Sequence, residues 1–405
     1  MSSLAGVRYP SAEGLECPYP YYEWLRTESA VHQLPDRPNV FLVSDHEAIR
    51  RVMRDHKTFS SVQSRRGMTT FDLLLGGPSD QPVSTVLEAD PPEHKPKREL
   101  IRAPLRPARV TAYAGWMREY VDGLIDGFAP AGRVEFVSEF ANRLPVLVTC
   151  RLLGIPDEDR PLVSKWSRFE GVGLSWMPDD FQRGQQRTAA EMNDYLTGLL
   201  ERRHAAPADD VTSEMIRAQV ARDGTFDLPE VRAQLSAVLA GGVLTTSHFL
   251  SSAMLLLLQH PDQLERVRAD HALIPRMIEE ALRLEAPAQW IPRRVAVDTT
   301  LEGVELPAGS FVLLMLASGS RDEAAFKCPA HFDIGRRDAH AHLNFGYGVH
   351  FCVGAPLARL ETRIAFERLL TRLRDLRAAP NNDFTHSPSP SFRGLRRLEL
   401  EFTPE

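Results

Sequence analysis

A glycine-rich stretch near the C-terminal end, residues 345–354, contains the residue types with the most distinctive chemistry. It reads Phe-Gly-Tyr-Gly-Val-His-Phe-Cys-Val-Gly, so Cys352 follows two closely spaced glycines and His350. Glycine lets a backbone adopt positive φ values and approach a ligand closely. A helix-like pattern runs from Pro356 to about residue 373, and the positive end of a helix dipole favours a thiolate. The stretch predicts a soft metal ligand at Cys352, while a buried free cysteine beside a turn is the simpler alternative.

A dinucleotide site does not explain the stretch, because Gly346-x-Gly348 lacks the third glycine of that motif. The string Phe-Gly-x-Gly-x-His-x-Cys-x-Gly as a whole resembles the haem-binding loop of the cytochrome P450 family. The resemblance implies haem b as cofactor, with Cys352 as axial iron ligand and His350 near a haem propionate. A thiolate ligand pushes electron density onto iron and favours cleavage of the O–O bond. The resemblance implies three further cofactor-binding residues: Phe345, Gly346 and Gly354.

A second pattern lies inside a long apolar run that predicts one helix, starting near Pro229 and ending before Pro261. Two adjacent glycines interrupt it, and each costs about 1 kcal/mol relative to alanine, so close approach to a ligand would explain them. Thr245 lies four residues after the first glycine, where its hydroxyl can bond that carbonyl and open the helix locally. The P450 family has its oxygen-binding groove here. The resemblance implies four catalytic residues: Gly241, Gly242, Thr245 and Thr246.

This pattern departs from the family at Leu244, which stands where an acidic residue is usual. Cleavage of the O–O bond consumes protons, so they must come from water held by Thr245, Thr246 or Ser247, from His248, or from the substrate. The sequence therefore supports haem binding more strongly than it supports ordinary hydroxylation. Residues 242–250 and 273–275 also resemble, locally, the mycobacterial member that couples the two phenols of a cyclic dityrosine.

The carboxylates of a haem need cationic partners, and two segments could provide them. His94 and Arg98 follow Asp-Pro-Pro at the start of a predicted helix and share one of its faces. By resemblance this pair binds a propionate, as does Arg293, with Arg294 as the fallback; arginine suits such charge-assisted bonds. The remaining basic residues of the first segment form either a docking patch for an acidic electron donor or a solvated helix face: Lys95, Lys97, Arg102, Arg106 and Arg109.

Glu280 and Arg283 are three residues apart on one helix face, a spacing that usually indicates an exposed ion pair. They match the Glu-x-x-Arg of the family, where the pair is buried and structural. The resemblance therefore assigns them to folding and haem assembly.

Large apolar side chains cluster in residues 61–86 and 170–183, and either could cover a pocket or merely pack a core. The residues expected to contact substrate are Met68, Phe71, Val238, Leu244, Trp290, Ile291 and Phe392.

The chain has 405 residues, 43% of them apolar and 25% charged, with a net charge of −6. These are globular values, and the negative charge argues against general nucleic-acid binding. Four scattered cysteines suit a reducing compartment, and the first ten residues lack the apolar core of a signal peptide or anchor. The run of residues 234–263 has one charged residue but too polar a middle for a membrane helix. We expect a cytoplasmic monomer.

The resemblance covers nearly the whole chain and implies a mainly α fold with small β-sheets (α+β), a single domain over residues 1–405. Haem would lie between the long helix and the Cys loop. Helices are predicted at 20–28, 45–54, 111–128, 137–153, 157–169, 184–204 and 212–221. Strands are predicted at 31–34, 40–43, 290–297, 300–306 and 311–315.

The implied function is oxidation of a small natural-product-like substrate with dioxygen, by hydroxylation or by oxidative ring or aryl coupling. No flavin or iron–sulfur domain is expected beyond this fold, so electrons would come from a ferredoxin and its reductase. The alternatives are a peroxide-driven oxygenase and a haem-binding sensor or carrier without turnover.

Overall fold

The computed structural model describes residues 11–35, 37–62, 84–167 and 179–404. Its α-helices are, in chain order, α1 (Ala12–Glu16), α2 (Tyr19–Glu28), α3 (His46–Arg54), α4 (His94–Arg102), α5 (Pro107–Ala112), α6 (Ala114–Phe128), α7 (Arg143–Leu153), α8 (Arg160–Trp166), α9 (Asp179–Ala205), α10 (Val211–Asp223), α11 (Leu228–Gln259), α12 (Pro261–Ala269), α13 (Ile274–Leu284), α14 (Leu316–Gly319) and α15 (Ala355–Arg372).

The strands are β1 (Val31–Leu34), β2 (Arg37–Val43), β3 (Phe59–Ser60), β4 (Arg133–Glu135), β5 (Ile291–Val295), β6 (Thr299–Leu301), β7 (Val304–Leu306), β8 (Phe311–Leu314), β9 (Leu373–Ala378) and β10 (Glu399–Pro404). Short 3₁₀ turns occupy Val86–Glu88, Ala129–Ala131, Asp157–Asp159, His271–Leu273, Ala339–Ala341 and Gly348–His350. Val137–Ala141 forms a short π-helix. The predicted class, mainly helical with small sheets, is confirmed.

The strands form three small sheets. The first has the order β1-β2-β8-β5-β3, in which β2 and β8 are parallel and the other pairs antiparallel. The second has the order β4-β10-β9, and β6 pairs with β7 alone. The single strand predicted at 300–306 is this β6–β7 hairpin. Glu302 and Gly303 both have positive φ, 49° and 80°, which is the requirement of a two-residue type I′ turn.

The chain divides into two compact units. The first contains the described residues before Gln63 together with His248–Cys352 and Arg377–Glu399. Its main core cluster joins the apolar face of α3 to the five-stranded sheet. Ile49, Val52 and Met53 of α3 are buried in that cluster, and Tyr347 packs against it from the partly exposed side. This packing fixes α3, which the Cys loop contacts.

The second unit contains the described residues from 84 to Ser247, Val353–Leu376 and the chain from Leu400. Within it α15 packs on α6, and ion pairs reinforce the contact: Arg368 Nε lies 2.8 Å from Asp122, and Arg372 Nη2 lies 2.5 Å from Asp126. Two predicted helices are each divided. In the helix predicted at 111–128, Tyr113 separates α5 from α6. In the helix predicted at 137–153, the π-helix and Asn142 precede α7.

The long helix α11 has 32 residues, close to its predicted bounds, and spans roughly 48 Å at about 1.5 Å per residue. By length and composition it could cross a membrane, but 67% of its most apolar window is buried within the fold. The helix stays α-helical through its two glycines. The predicted local opening at this point is therefore not observed.

Candidate functional site

The Cys loop is a compact turn closed by its own backbone. The Cys352 N–H donates to the Phe345 carbonyl at 2.7 Å, and the Gly346 N–H donates to the Leu343 carbonyl at 2.8 Å. Gly346 and Gly348 have φ of 70° and 71°, values that favour glycine. Cys352 is exposed, so the alternative of a buried free cysteine does not hold.

The thiol stands just before an 18-residue helix. Gly354 is the N-cap of α15, and Ala355 is its first residue. The N-terminal end of a helix favours a thiolate over a thiol. A thiolate at Cys352 would be able to hold the iron of a haem. The donor chemistry of the loop therefore fits haem.

The proposed propionate partners in the first unit are His350 of the Cys loop and Arg293 of β5. His350 Nε2 and Ser61 Oγ are 3.0 Å apart, which connects the Cys loop to the residue after β3. Arg293 lies on β5, is 7% exposed, and donates from Nη1 to the Pro292 carbonyl at 2.7 Å. Arg294, the fallback, is partly exposed on the same strand.

The other proposed propionate partners belong to the second unit. His94 is the first residue of α4 and is buried, with its N–H donating to the Asp90 carbonyl at 2.9 Å. Arg98 follows one turn later and is partly exposed. Three of the five basic residues considered for a docking patch form ion pairs with acids of this unit: Lys97 with Glu230, Arg102 with Glu99, and Arg109 with Glu214. Arg102 and Arg109 are about half exposed, which suits a solvated helix face, whereas the Lys97 side chain is largely buried.

One side of α11 is less buried than the rest. The Thr245 hydroxyl donates to the Gly241 carbonyl at 2.8 Å, the bond predicted from their spacing. Val238, Gly242 and Leu244 are also partly exposed, while Gly241 is exposed. Thr246, another proposed catalytic residue, lies on the opposite side with Val243 and Leu250, all buried. Of the two threonines, Thr245 is the one whose surroundings leave room for a ligand.

The two glycines of α11 have different surroundings. A Cβ at Gly242 would lie 3.2 Å from Thr149 Oγ1 of α7, so that glycine serves close packing of two helices. A Cβ at Gly241 would have no described heavy atom within 4 Å, apart from its own helical turn. Free volume beside a bare helix backbone in a mostly buried helix is room for a flat ligand. This second observation also fits haem.

The structure narrows the possible proton sources that would replace an acid at Leu244. The Ser247 hydroxyl is buried and donates to the Val243 carbonyl at 3.0 Å. Burial lowers the pKa of His248 to about 4, so its imidazole is neutral at pH 7. Its ring also packs on Gly394, where a Cβ would lie 2.3 Å from the ring atoms. His248 therefore does not supply a proton as imidazolium, and water at Thr245 or the substrate remains.

The proposed substrate-contacting residues are unevenly placed. Met68 and Phe71 lie outside the described residues. Trp290 is buried just before β5, whereas Ile291 begins β5 and packs partly against the core of the first unit. Consecutive residues of an extended chain point to opposite faces, so these two do not line one surface together. Phe392 is partly buried and forms a β-bridge with Ala288.

Glu280 and Arg283 form a completely buried, two-bonded ion pair on α13, with N–O distances of 2.7 and 2.8 Å. Arg336 adds a third bond to Glu280 at 3.1 Å. Arg283 also donates to the Pro329 carbonyl at 2.6 Å. The usual exposed surface pair is therefore not what the structure contains; this pair ties α13 to the segment that precedes the Cys loop.

Two features were missed from the sequence. Arg50 and Arg54 of α3 hold Tyr347 of the Cys loop, almost 300 residues away in the chain, and no local pattern predicts that contact. Glu361 of α15 is buried, although a glutamate in a charged helix is ordinarily read as exposed. The signal in the sequence that could have indicated its burial is the pair of apolar neighbours on the same helix, Leu360 and Ile364.

Known proteins resemble this chain over nearly its whole length. The family model described as Cytochrome P450 matches residues 163–390. The chain is 35% identical to cytochrome P450 monooxygenase PikC of Streptomyces venezuelae over 393 residues, covering 95% of this chain and 91% of PikC. It is 33% identical to the vitamin D(3) 25-hydroxylase of Pseudonocardia autotrophica, covering 96% and 94%.

Among solved structures, the chain resembles the cytochrome P450 enzyme CxnD, described as acting in C–S bond formation in chuangxinmycin biosynthesis. The two superpose with a TM-score of 0.86 and 32% identity, covering 97% of this chain and 98% of CxnD. Family model, curated relatives and fold point the same way. The chain therefore belongs to the cytochrome P450 family and is a haem b enzyme of the monooxygenase type.

Proposed function

We propose that Cys352 is the axial iron ligand of this enzyme and that the enzyme oxidises a small, natural-product-like molecule. The observation that carries the proposal is an exposed thiol in a glycine loop directly before α15. His94, Arg98, Arg293 and His350 would hold the haem propionates. Phe345, Gly346 and Gly354 would shape the loop beneath the ring.

When bound, a haem with a thiolate ligand supplies the chemistry that activates dioxygen. The residues of this chain do the rest. The α15 dipole keeps Cys352 as a thiolate, and Gly241 leaves room beside α11. The Thr245 hydroxyl donates its proton to the Gly241 carbonyl, so its oxygen is available to accept a hydrogen bond from a water molecule. Leu244 adds no proton source to that water.

Two reaction outcomes stay open. Among the relatives, one is named for hydroxylation and another is described as forming a C–S bond. Both outcomes take up two protons when the O–O bond is cleaved, so the leucine at position 244 favours a substrate that can itself supply a proton. A phenol can do so, and phenols are substrates of oxidative coupling. We infer that oxidative coupling or ring closure is a stronger candidate here than in a relative that has the acid.

The electron donor in this proposal is a ferredoxin with its reductase, in the cytoplasm, and the enzyme acts as a monomeric single domain. A peroxide-driven oxygenase is the alternative, and turnover on peroxide without ferredoxin separates the two. A sensor or carrier would show a substrate-induced spin shift and no product under reducing conditions.

The ligand assignment is tested by replacing the thiol. In Cys352→Ala we expect complete loss of the red-shifted Soret band of the ferrous–CO complex, because no thiolate then faces the iron. Cys17→Ala is the matched control: Cys17 is also an exposed cysteine, but lies between α1 and α2. It should keep the wild-type band. Persistence of the band in Cys352→Ala would refute the assignment.

A further inference from the structure

The Tyr347 side chain of the Cys loop contacts two arginines of α3. The guanidinium carbons of Arg50 and Arg54 each lie 4.7 Å from the centre of the Tyr347 ring. Arg50 Nη2 also donates to the phenol oxygen at 3.2 Å, and Arg54 Nη2 does so at 3.0 Å. Each arginine therefore contacts both the ring face and the hydroxyl, and cation–π attraction adds to the hydrogen bonds.

The backbone beside this side chain approaches the same helix. A Cβ added at Gly348 would lie 3.2 Å from the carbonyl oxygen of Met53, the next-to-last residue of α3. Gly348 also has φ of 71°, so a larger residue would be strained there. Since Ile49 and Val52 anchor α3 in the core, the loop rests on a fixed support.

The bonds of the loop connect this support to the sulfur. Cys352 lies five residues after Tyr347, and its N–H donates to the Phe345 carbonyl, two residues before Tyr347. The Phe351 N–H donates to the Gly348 carbonyl at 3.1 Å. A displacement of Tyr347 would therefore move both carbonyls that set the Cys352 backbone.

The contact is specific to two of the three arginines of α3. Arg51, which lies between them in sequence, pairs instead with Glu302 of the β6–β7 turn at 2.9 Å. Glu47, one turn earlier on α3, lies 3.3 Å from Arg50 and 3.6 Å from Arg54. Glu47 partly balances the charge of the two arginines, whereas it is the arginines that donate to the phenol oxygen.

We propose that Tyr347, held by Arg50 and Arg54, is a positioning residue that fixes the Cys loop and so the direction of the Cys352 sulfur toward iron. This inference rests on the proposed ligand role of Cys352. Tyr347 touches neither iron nor substrate in this scheme; it acts through the loop backbone.

The test compares holoenzymes with Tyr347→Phe, which keeps the ring but removes the acceptor oxygen, and Arg54→Ala, which removes one cation. Arg51→Ala is the matched control on the same helix, with a similarly exposed side chain. Three readouts are followed: the iron reduction potential, the rate at which the ferrous–CO band loses its red shift, and hydrogen exchange in the peptide containing Cys352.

We expect exchange and loss of the red shift to become roughly three- to tenfold faster in Tyr347→Phe and Arg54→Ala, from the lost surface-exposed contacts. The reduction potential should shift in the same variants, which a purely structural residue would not cause. Arg51→Ala should match the wild type. Wild-type values for both test variants would overturn the inference.

The two levels of the proposal fail differently. If Cys352 is not the ligand, the wild-type protein lacks the red-shifted band or the band persists in Cys352→Ala, whatever the exchange data show. If only the positioning role is wrong, the wild-type band is normal and the variants are indistinguishable from the control. Should Arg54→Ala fold poorly, Tyr347→Phe decides alone, because it changes a single partly exposed oxygen.

Discussion

At position 244 this chain has a leucine where the resemblance to the family leads us to expect an acidic residue. An acid there would stand one residue before Thr245, near the only threonine of the pair on the less buried side of α11. Leu244 is itself partly exposed, so a carboxylate at this position could keep contact with water. With His248 neutral and buried, the helix offers no obvious substitute. The absence of the acid should therefore limit reactions that need delivered protons.

Leu244→Glu tests this at the level of one side chain, with Leu244→Gln as an isosteric control that cannot ionise. If proton supply limits the natural reaction, Glu but not Gln should raise the product formed per electron consumed, by roughly tenfold, a modest share of general-acid effects. The measurement is product by mass spectrometry against NAD(P)H oxidised at equal electron uptake. Equal ratios for Glu, Gln and wild type would show that proton supply from this position does not limit the reaction.

At the scale of elements, α15 buries an acidic residue that has no part in the proposed mechanism. Glu361 is 2% exposed, its Oε1 has no hydrogen-bond partner among the described residues, and neither has the Oγ1 of neighbouring Thr362. Burial raises the pKa of Glu361 to about 8. A lone buried carboxyl is neutral because ionisation in an apolar environment is costly. At pH 7 the helix following the Cys loop thus carries a carboxylic acid.

The buried carboxyl of Glu361 should make the free energy of unfolding fall as the pH rises. The pKa is higher in the folded state than the ordinary value of 4.5, so above about pH 4.5 the unfolded chain loses a proton that the folded chain keeps until about pH 8. Across this window the free energy of unfolding should drop by up to about 1.4 kcal/mol per pH unit. Urea unfolding at several pH values measures it.

Glu361→Gln should remove this slope and leave the protein more stable at pH 7.5 than the wild type. Glu367→Gln is the control, since Glu367 lies on the same helix in a partly exposed pair with Arg363. A slope that survives in Glu361→Gln and not in the control would assign the titration elsewhere.

The elements themselves were predictable where one local pattern sufficed. Prolines and an apolar run predicted α11 to within two residues, and glycines with a proline predicted the start of α15. Contacts between distant segments were not predictable. Ser61 meets His350, and α3 meets Tyr347, because β3 belongs to the five-stranded sheet and α3 packs on that sheet. Apolar neighbours of Glu361 within α15 could indicate its burial only in part, because burial also depends on how the helix packs against other elements.

At the scale of the molecule, α11 has the length and apolarity of a membrane helix, but a buried core helix can have the same properties. The structure buries 67% of its apolar window, and the helix also buries polar groups. Gln234 is fully buried, accepting from the Val86 N–H at 2.7 Å and donating to the Ser84 carbonyl at 3.2 Å. Inserting α11 into lipid would break these bonds and leave the polar groups unsatisfied, which is costly.

We therefore predict that the full chain, expressed in a bacterium without detergent, stays in the supernatant when membranes are sedimented. Haem absorbance and immunoblotting of both fractions provide the measurement. A wash with high salt separates true insertion from charge-driven adsorption, which the net charge of −6 disfavours on an anionic lipid surface. Sedimentation with membranes that resists both salt and alkaline carbonate would show that α11 leaves its place in the fold. In that case, the packing described for Gln234 would not be the state of the protein in the cell.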